Sequence, residues 1–287
     1  MDKFNDKNEL SEKLKEKYYE TAVSDFDGTL AMTDKTISEK TLERIHAFIA
    51  RGGKFAVCTG RMTSSILPIC RKYSLGDYVI SFQGAAINEV KSGKSVYFNP
   101  LSAKTVAKLC EFAKSRDLNM QVYPDGIFMT LYKTPETEFY SSITGMPYEV
   151  RQDIGEYFLS RNKQTGKALF YVGDNDAQKL CAEIQKAAGD EADVFVSNPR
   201  QIDVCARGVS KGAGVEKFLR IVGKDGEADR LKLMCFGDEH NDLSMLKKAA
   251  LAVAPENAHN DVKSVADYVC ESNDEGGVGK TIEKFGI

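Results

Sequence analysis

The sequence has no tryptophan and only three histidines, and its seven cysteines stand singly along 287 residues. No cysteine belongs to a Cys-x-x-Cys pair or has a neighbouring histidine, so the sequence predicts neither a zinc site nor a disulfide framework. The histidines, His46, His240 and His259, are too few and too scattered for a histidine-rich metal site. We therefore expect any metal ion to be a hard cation bound through oxygen atoms.

An excess of charge of one sign is also missing, because 39 lysines and arginines are balanced by 42 aspartates and glutamates. The formal net charge of -3 predicts no basic surface and no nucleic-acid partner. No stretch approaches the roughly 18 apolar residues of a membrane helix, and residues 1–20 mix charges where a signal peptide would be apolar. We expect a cytoplasmic protein without a membrane partner, a monomer or weak homodimer, and the composition indicates either a small molecule or a protein as its partner.

Apolar periodicity predicts an alternation of strands and helices in the first part of the chain. Leu10, Leu14 and Tyr18 favour a short N-terminal surface helix. The segments 19–24, 55–58 and 78–82 are typical of buried strands, and helical patterns separate them. This βαβαβ order indicates an α/β fold with a doubly wound parallel sheet. Thr36 and Glu39 predict a capping box at the start of the first of these helices.

The pattern changes after Gln83-Gly84-Ala85, where hairpin signatures alternate with isolated helices. We therefore predict an inserted α+β module over residues 85–206. The strand and helix alternation returns after Lys211, so residues 1–84 and 207–287 should form one catalytic core split by the insertion.

Four polar clusters fall near the predicted strand ends of this core, where open α/β sheets bind ligands. Carboxylates, a hydroxyl, amides and one cation are the groups that phosphoryl transfer requires. The clusters are Asp25 with Asp27, Thr59-Gly60, Lys211, and Asp238 with Asn241 and Asp242.

Asp25 can attack phosphorus if a cation and a lysine offset the repulsion between the carboxylate and the phosphate. Asp27 reaches the same site if the backbone leaves strand geometry, which Gly28 permits at low cost. Asp27 would then protonate the leaving oxygen and later activate water. Asp238 and Asp242 would complete an oxygen-rich Mg²⁺ shell.

These segments resemble the four motifs of the haloacid dehalogenase superfamily, in particular its Cof-type branch of sugar-phosphatase-like proteins. The motifs are residues 25–30, 58–61, 209–212 and 237–246, and residues 272–278 are similar to the C-terminal signature of the family. The resemblance covers nearly all of the chain from Tyr19 onward. It implies a Rossmann-like core with an inserted cap, and it implies a Mg²⁺-dependent phosphatase acting on a small phosphorylated metabolite.

The resemblance also implies a role for individual residues. Asp25 would be the nucleophile and Asp27 the acid and base. The Mg²⁺ ligands would be Asp25, the Asp27 carbonyl, Asp238 and, directly or through water, Asp242. The phosphoryl group would be held by Thr59, Gly60, Lys211 and Asn241, and Arg61 and the inserted module would face the leaving group of the substrate.

Each cluster taken alone also has a plain structural explanation. The Asp-Gly-Thr segment and Thr59-Gly60 could be ordinary turns, and Lys211 could be a solvated helix residue. Asp238 and Asp242 could be helix N-terminal charges. Only the combination of the four clusters favours the catalytic interpretation.

Three further questions stay open from the sequence. Gln83 stands where the family usually has asparagine, which puts a substrate contact at that position in doubt. Arg61 could pair with a core carboxylate instead of substrate. The residues around the second hairpin, Tyr123, Asp125 and Phe128, could contact substrate or could be ordinary turn and cross-strand packing residues.

Other functions use a similar set of groups. A phosphohexomutase would use the same nucleophile but return the phosphoryl group to a sugar hydroxyl, and the core motifs do not exclude it. A phospho-accepting receiver module is shorter than the span from Asp25 to Lys211 and has no counterpart of Asp27. A binding protein with a vestigial site is disfavoured because both aspartates are present.

Overall fold

The structure is a computed structural model that describes residues 18–173, 175–198 and 200–287. The expected helix with Leu10 and Leu14 lies outside the described residues. No helix within the described ranges is both long and apolar enough to cross a membrane.

The strands of the described chain alternate with helices at both ends of the sequence and cluster in its middle. They are β1 (Thr21–Ser24), β2 (Lys54–Cys58), β3 (Tyr78–Ser81), β4 (Ala86–Glu89), β5 (Ser95–Phe98), β6 (Met120–Val122), β7 (Phe128–Thr130), β8 (Tyr148–Val150), β9 (Ala168–Tyr171), β10 (Ala192–Asn198), β11 (Gln201–Ala206), β12 (Leu233–Phe236), β13 (Leu251–Pro255) and β14 (Tyr268–Cys270).

The helices connect these strands, and three short 3₁₀ turns lie at Phe82–Gly84, His240–Asp242 and Asn273–Glu275. The α-helices are α1 (Glu39–Ala50), α2 (Thr63–Tyr73), α3 (Ala103–Ser115), α4 (Pro135–Thr144), α5 (Ile154–Arg161), α6 (Ala177–Ala188), α7 (Lys211–Ile221), α8 (Glu227–Arg230), α9 (Leu243–Leu246), α10 (Asn260–Val265) and α11 (Gly277–Phe285).

The larger sheet has the strand order β14-β13-β12-β1-β2-β3-β4-β5. Its first six strands are parallel, and β4 and β5 add to the edge as an antiparallel hairpin. Buried strands such as β1 have no exposed face, because apolar clusters cover both sides of the sheet. The doubly wound α/β fold is confirmed.

The hairpin formed by β4 and β5 differs from the expected domain division. We placed residues 85–206 in the inserted module, but β4 pairs with β3 and extends the larger sheet. Ile87 lies opposite Ile80, and both are buried in the core beside that sheet. The hairpin signature predicts local pairing only, so it did not show which sheet the hairpin joins. We call residues 99–206 the cap.

The cap contains the smaller sheet, with the order β10-β11-β9-β6-β7-β8, and four helices, α3 to α6. Its pairings are antiparallel except for β7 with β8. The cap has its own apolar core, which also includes Met62 and Phe82 of the larger domain. Helices α4 and α5 and strand β8 were not predicted from the sequence.

The start of α1 also differs in detail from the expectation. Ser38 is the N-cap, and its side chain accepts a hydrogen bond from the Thr41 N–H. The predicted capping box of Thr36 and Glu39 is wrong, because Thr36 bonds to the Asp34 carboxylate instead. The helix still buries its apolar face, as its periodicity predicts.

Candidate active site

The ends of neighbouring parallel strands bring the predicted residues together. Asp25 follows β1, Thr59 follows β2 and Asp238 lies two residues beyond β12. The Asp25 N–H donates to the Phe236 carbonyl at 2.9 Å, so the end of β1 is tied to the end of β12. Because these strands are parallel neighbours, their carboxyl ends form one edge of the sheet.

Lys211 supplies a buried positive charge at this edge. It is the first residue of α7, whose N-cap Ser210 accepts a hydrogen bond from the Ala213 N–H. Its side chain is 1% exposed, and its Nζ lies 2.8 Å from Asp25 Oδ1 and 2.6 Å from Asp242 Oδ1. A lysine on the solvent-exposed face of a helix would not be buried between two carboxylates, so this alternative for Lys211 is excluded.

Asp25, Asp238 and Asp242 form a buried carboxylate cluster. One oxygen from each side chain lies within 4.8 Å of the others. Burial raises the pKa of Asp25 well above its usual range; Lys211 opposes this shift, while Asp242 and Asp238 add to it. Burial and then the charge of Asp242 raise the pKa of Asp238 to about 7.

The charge balance of this cluster fits a divalent cation. Three ionised carboxylates beside one lysine leave two uncompensated negative charges in a buried site, which is costly. The donors are all oxygens, the type that hard divalent cations prefer. The residues therefore fit the expected metal site.

The positions of Asp238 and Asp242 are set by short-range hydrogen bonds. Asp242 Oδ2 accepts from the backbone N–H groups of Asp238 and Glu239, each at 3.0 Å. Asp238 Oδ1 accepts from the Thr29 hydroxyl. Gly28 has a φ of +77°, and a Cβ there would lie 2.4 Å from Asp238 Oδ2. The glycine of the first motif is thus needed both for the turn and for the approach of Asp238.

Asp27 occupies a very different environment from Asp25. Arg61 donates to both of its oxygens, at 2.6 Å and 2.7 Å, and Lys35 Nζ donates at 3.0 Å. Burial raises the pKa of Asp27, but the bonds to Arg61 and the charge of Lys35 outweigh burial, and the pKa lies below its usual value. The question left open for Arg61 is answered in part, since it pairs with Asp27.

Gln83 joins the segment Thr59-Gly60 to the cap. It has a φ of +60°, its Nε2 donates to Asp203 Oδ2 at 2.6 Å, and its Oε1 accepts from Asn241 Nδ2 at 3.1 Å. A Cβ on Gly60 would lie 2.6 Å from Gln83 Nε2, so a side chain at this position would displace the Gln83 amide. Asp203 is in turn paired with Lys167 at 2.8 Å, and both are buried.

A cavity of about 300 Å³ lies between the cap and this edge of the sheet, a size found among small-molecule sites. Its wall includes the expected residues Asp25, Asp27, Thr59, Gly60, Arg61, Lys211 and Asn241. Asp238 and Asp242 do not line it and lie beside Asp25 in the carboxylate cluster.

Several residues of the wall were missed from the sequence. They are Lys35, Phe139, Tyr140, Ile143, Thr144, Lys167, Ser197, Gln201, Asp203 and Glu239. The only usable signal was the presence of a charge in otherwise apolar strand-like segments, as at Lys167 and Asp203.

The open question about the second hairpin has a clear answer. Tyr123 packs edge-on against Phe82 with ring centroids 5.7 Å apart, and Phe128 packs against Tyr140 at 5.1 Å. Asp125 forms an ion pair with Lys163. None of the three hairpin residues lines the cavity, so the packing explanation is the better one.

Comparison with known proteins decides between the fold families that share such a sheet. A family model described as haloacid dehalogenase-like hydrolase matches residues 22–282. The chain belongs to this family. The 5-amino-6-(5-phospho-D-ribitylamino)uracil phosphatase YitU of Bacillus subtilis (strain 168) is 25% identical over 268 residues, covering 91% of this chain and 95% of that protein.

Two further comparisons agree with this assignment to the haloacid dehalogenase-like hydrolases. The HMP-PP phosphatase of Yersinia pestis (strain Pestoides F) is 25% identical over 240 residues, covering 84% of this chain and 85% of that protein. The crystal structure of a haloacid dehalogenase-like hydrolase from Bacteroides thetaiotaomicron has a TM-score of 0.77 and 28% identity, covering 93% of this chain and 99% of that one. The chain is therefore a hydrolase of the phosphatase type, as its motifs predict.

Proposed function

We propose that this hydrolase is a Mg²⁺-dependent phosphatase that removes phosphate from a small phosphomonoester through a phosphorylated Asp25. The observation that carries the proposal is the buried cluster of three carboxylates and one lysine, of which Asp25 and Lys211 line a cavity that also contains Asp27 and Arg61. We place the activity in the cytoplasm.

The phosphoryl group would be bound by groups that already face the cavity. Lys211 is held there by two carboxylates, and Thr59, Gly60 and Asn241 line the same wall. Asn241 Oδ1 has no hydrogen-bond partner among the described residues, and its amide nitrogen donates to Gln83 Oε1 at 3.1 Å. These donors would surround the equatorial oxygens, where charge is spread in the transition state.

The chemical steps need two carboxyl groups. An oxygen of Asp25 attacks phosphorus while the bond to the leaving oxygen breaks, and the carboxyl of Asp27 gives its proton to that oxygen. Asp27 then takes a proton from water, the water oxygen attacks phosphorus, and the bond to Asp25 breaks to release phosphate. A Mg²⁺ ion bound by the carboxylate cluster would offset the negative charge of nucleophile and phosphate.

Asp27 must acquire a proton for the first step, although its pairs with Arg61 and Lys35 favour its ionised form. A phosphate group entering the cavity carries two negative charges close to Arg61. It would draw the guanidinium away from Asp27, because a doubly charged anion is the stronger partner for a bidentate donor. The pKa of Asp27 would then rise, and the carboxyl could act as the acid.

The substrate body would meet a wall with two kinds of surface. Phe139, Tyr140 and Ile143 of α4 are apolar or aromatic, whereas Lys167 and Asp203 are charged. A sugar phosphate, or a similar metabolite with hydroxyl groups and one apolar face, fits such a wall.

The central experiment is hydrolysis of p-nitrophenyl phosphate with and without Mg²⁺. We expect activity only with Mg²⁺, and we expect Asp25→Asn to abolish it because an amide is a poor nucleophile. The matched control is Asp190→Asn, at an exposed aspartate that does not line the cavity. Full activity of Asp25→Asn would exclude the mechanism.

A further inference from the structure

A second cluster of metal-binding side chains lies outside the cavity. His240, His259 and Asp261 offer one atom each within 4.8 Å of one another. The two imidazole rings have centroids 4.3 Å apart. The chain has only three histidines, and two of them meet here although 19 positions separate them in the sequence. The sequence did not predict that two of the three histidines lie side by side.

The distances within this cluster fit a tetrahedral ion. His240 Nε2 lies 3.2 Å and His259 Nδ1 lies 3.6 Å from Asp261 Oδ2. His259 Nδ1 also accepts a hydrogen bond from the Asp261 N–H at 3.3 Å, which a bound ion would replace. Ligand atoms bound tetrahedrally at about 2.0 to 2.2 Å from Zn²⁺ are roughly 3.3 to 3.6 Å apart. We propose that His240, His259 and Asp261 bind one borderline transition-metal ion such as Zn²⁺, with water in the remaining position. This site is distinct from the carboxylate cluster.

Glu239 provides an independent observation in favour of this site. Its Oε2 is buried without a hydrogen-bond partner among the described residues, and it lies 3.6 Å from His240 Nδ1. A proton on Nδ1 would face this oxygen and leave the lone pair of Nε2 directed at the cluster. A carboxylate beside the other ring nitrogen is the usual arrangement around a metal-binding histidine.

The site is also coupled to the candidate active site through the backbone. His240 lies in the turn at residues 238–242, and the His259 N–H donates to the Asp238 carbonyl at 2.9 Å. An ion at the cluster would therefore link the turn that carries Asp238 and Asn241 to the start of α10. It would stabilise this part of the folded chain, because the unfolded chain cannot bring the three ligands together.

The two sites should select different ions. Imidazole nitrogen suits zinc, copper and nickel, whereas the all-oxygen cluster suits Mg²⁺. A large excess of Mg²⁺ should therefore leave the histidine cluster free for Zn²⁺. The proposal does not rest on the proposed phosphatase mechanism, since it concerns binding of a metal and not turnover.

The test is a Zn²⁺ titration of protein without a histidine tag, stripped with chelator and kept in excess Mg²⁺, followed by calorimetry. We expect one Zn²⁺ per chain in the wild type. His240→Ala and His259→Ala should each weaken binding at least about tenfold, the lower end of the loss seen for weaker, indirect partners of a metal. The matched control is His46→Ala, at a histidine that bonds to the Tyr73 carbonyl far along the chain from the cluster.

A second readout guards against misfolded variants. Asp261 is largely exposed, so Asp261→Asn should fold normally. It should also weaken Zn²⁺ binding, as the two histidine variants do. Co²⁺ bound at this site should give the visible absorption of nitrogen-ligated Co²⁺, and the spectrum should be lost in His259→Ala. The proposal is overturned if the wild type binds no Zn²⁺, or if His46→Ala weakens binding as much as His240→Ala does.

Discussion

Removing divalent cations should make the free energy of unfolding fall as the pH rises through the weakly acidic range. The cause is Asp238, whose pKa is raised from 3.8 to about 7 by burial and by the charge of Asp242. The raised pKa of Asp25 acts in the same direction. The folded chain then holds these protons more tightly than the unfolded chain, so each step up in pH favours unfolding.

The size of the effect follows from the Asp238 shift. Between pH 3.8 and about pH 7, the titration of one such group lowers the free energy of unfolding by at most about 1.4 kcal/mol per pH unit. From about pH 5 to about pH 7 the metal-free protein should therefore lose roughly 2 kcal/mol through Asp238 alone. Mg²⁺ at about 100 times its dissociation constant should restore a similar amount, about 2.7 kcal/mol.

The assay is urea unfolding at several pH values, with chelator or with Mg²⁺, for the wild type and Asp238→Asn. Asparagine keeps the oxygen that accepts from Thr29 but cannot titrate, so the variant should show a flatter pH dependence in chelator. Groups elsewhere titrate in both proteins and cancel in the difference. Equal slopes for the two proteins in chelator would refute the reasoning.

Other substitutions around the cavity have equally defined outcomes. Arg61→Ala removes two hydrogen bonds to Asp27, so the pKa of Asp27 should rise, as measured by the pH dependence of its carboxyl ¹³C shift; an unchanged value would contradict this. Lys167→Met leaves the buried Asp203 charge unpaired and should cost about 3 to 5 kcal/mol in urea unfolding, whereas Lys167→Met with Asp203→Leu should recover most of the loss. Gln83→Asn shortens the side chain that reaches Asp203 by one methylene and should loosen the contact between cap and core. This variant should therefore raise KM more than Lys167→Arg does.

The core of the fold was predictable because its strands are buried on both faces. The continuous apolar run at β2 has no other stable place than the interior of a covered parallel sheet. The proposed catalytic residues Asp25 and Asp27 were predicted from their place at the end of such a strand, and Lys211 from its place at the start of a helix. For Asp25 and Asp27 the local sequence pattern marks the end of a strand, and the end of a parallel strand is also the edge of the sheet where ligands bind.

The cap wall was not predictable for a physical reason. Its residues come from α4, from Lys167 just before β9, and from β10 and β11, and no local pattern encodes how these segments meet. The hairpin of β4 and β5 shows the same limit, since its signature specifies a turn and not a partner sheet. The fold brings His240 and His259 together, and the His259 N–H donates to the Asp238 carbonyl beside them. The spacing of the two histidines in the sequence does not predict this contact.

The two aspartates of the first motif have pKa values that the polypeptide shifts in opposite directions, and both directions oppose the proposed roles. Burial raises the pKa of Asp25, which must be ionised to attack, while the bonds from Arg61 outweigh burial and lower the pKa of Asp27, which must be protonated to act as an acid. A divalent cation at the carboxylate cluster would lower the first pKa, and a phosphate that attracts Arg61 would raise the second. Each carboxyl would thus reach its working protonation state only through a binding event. The two carboxyl groups would therefore be ready to react only when both the cation and the substrate are bound.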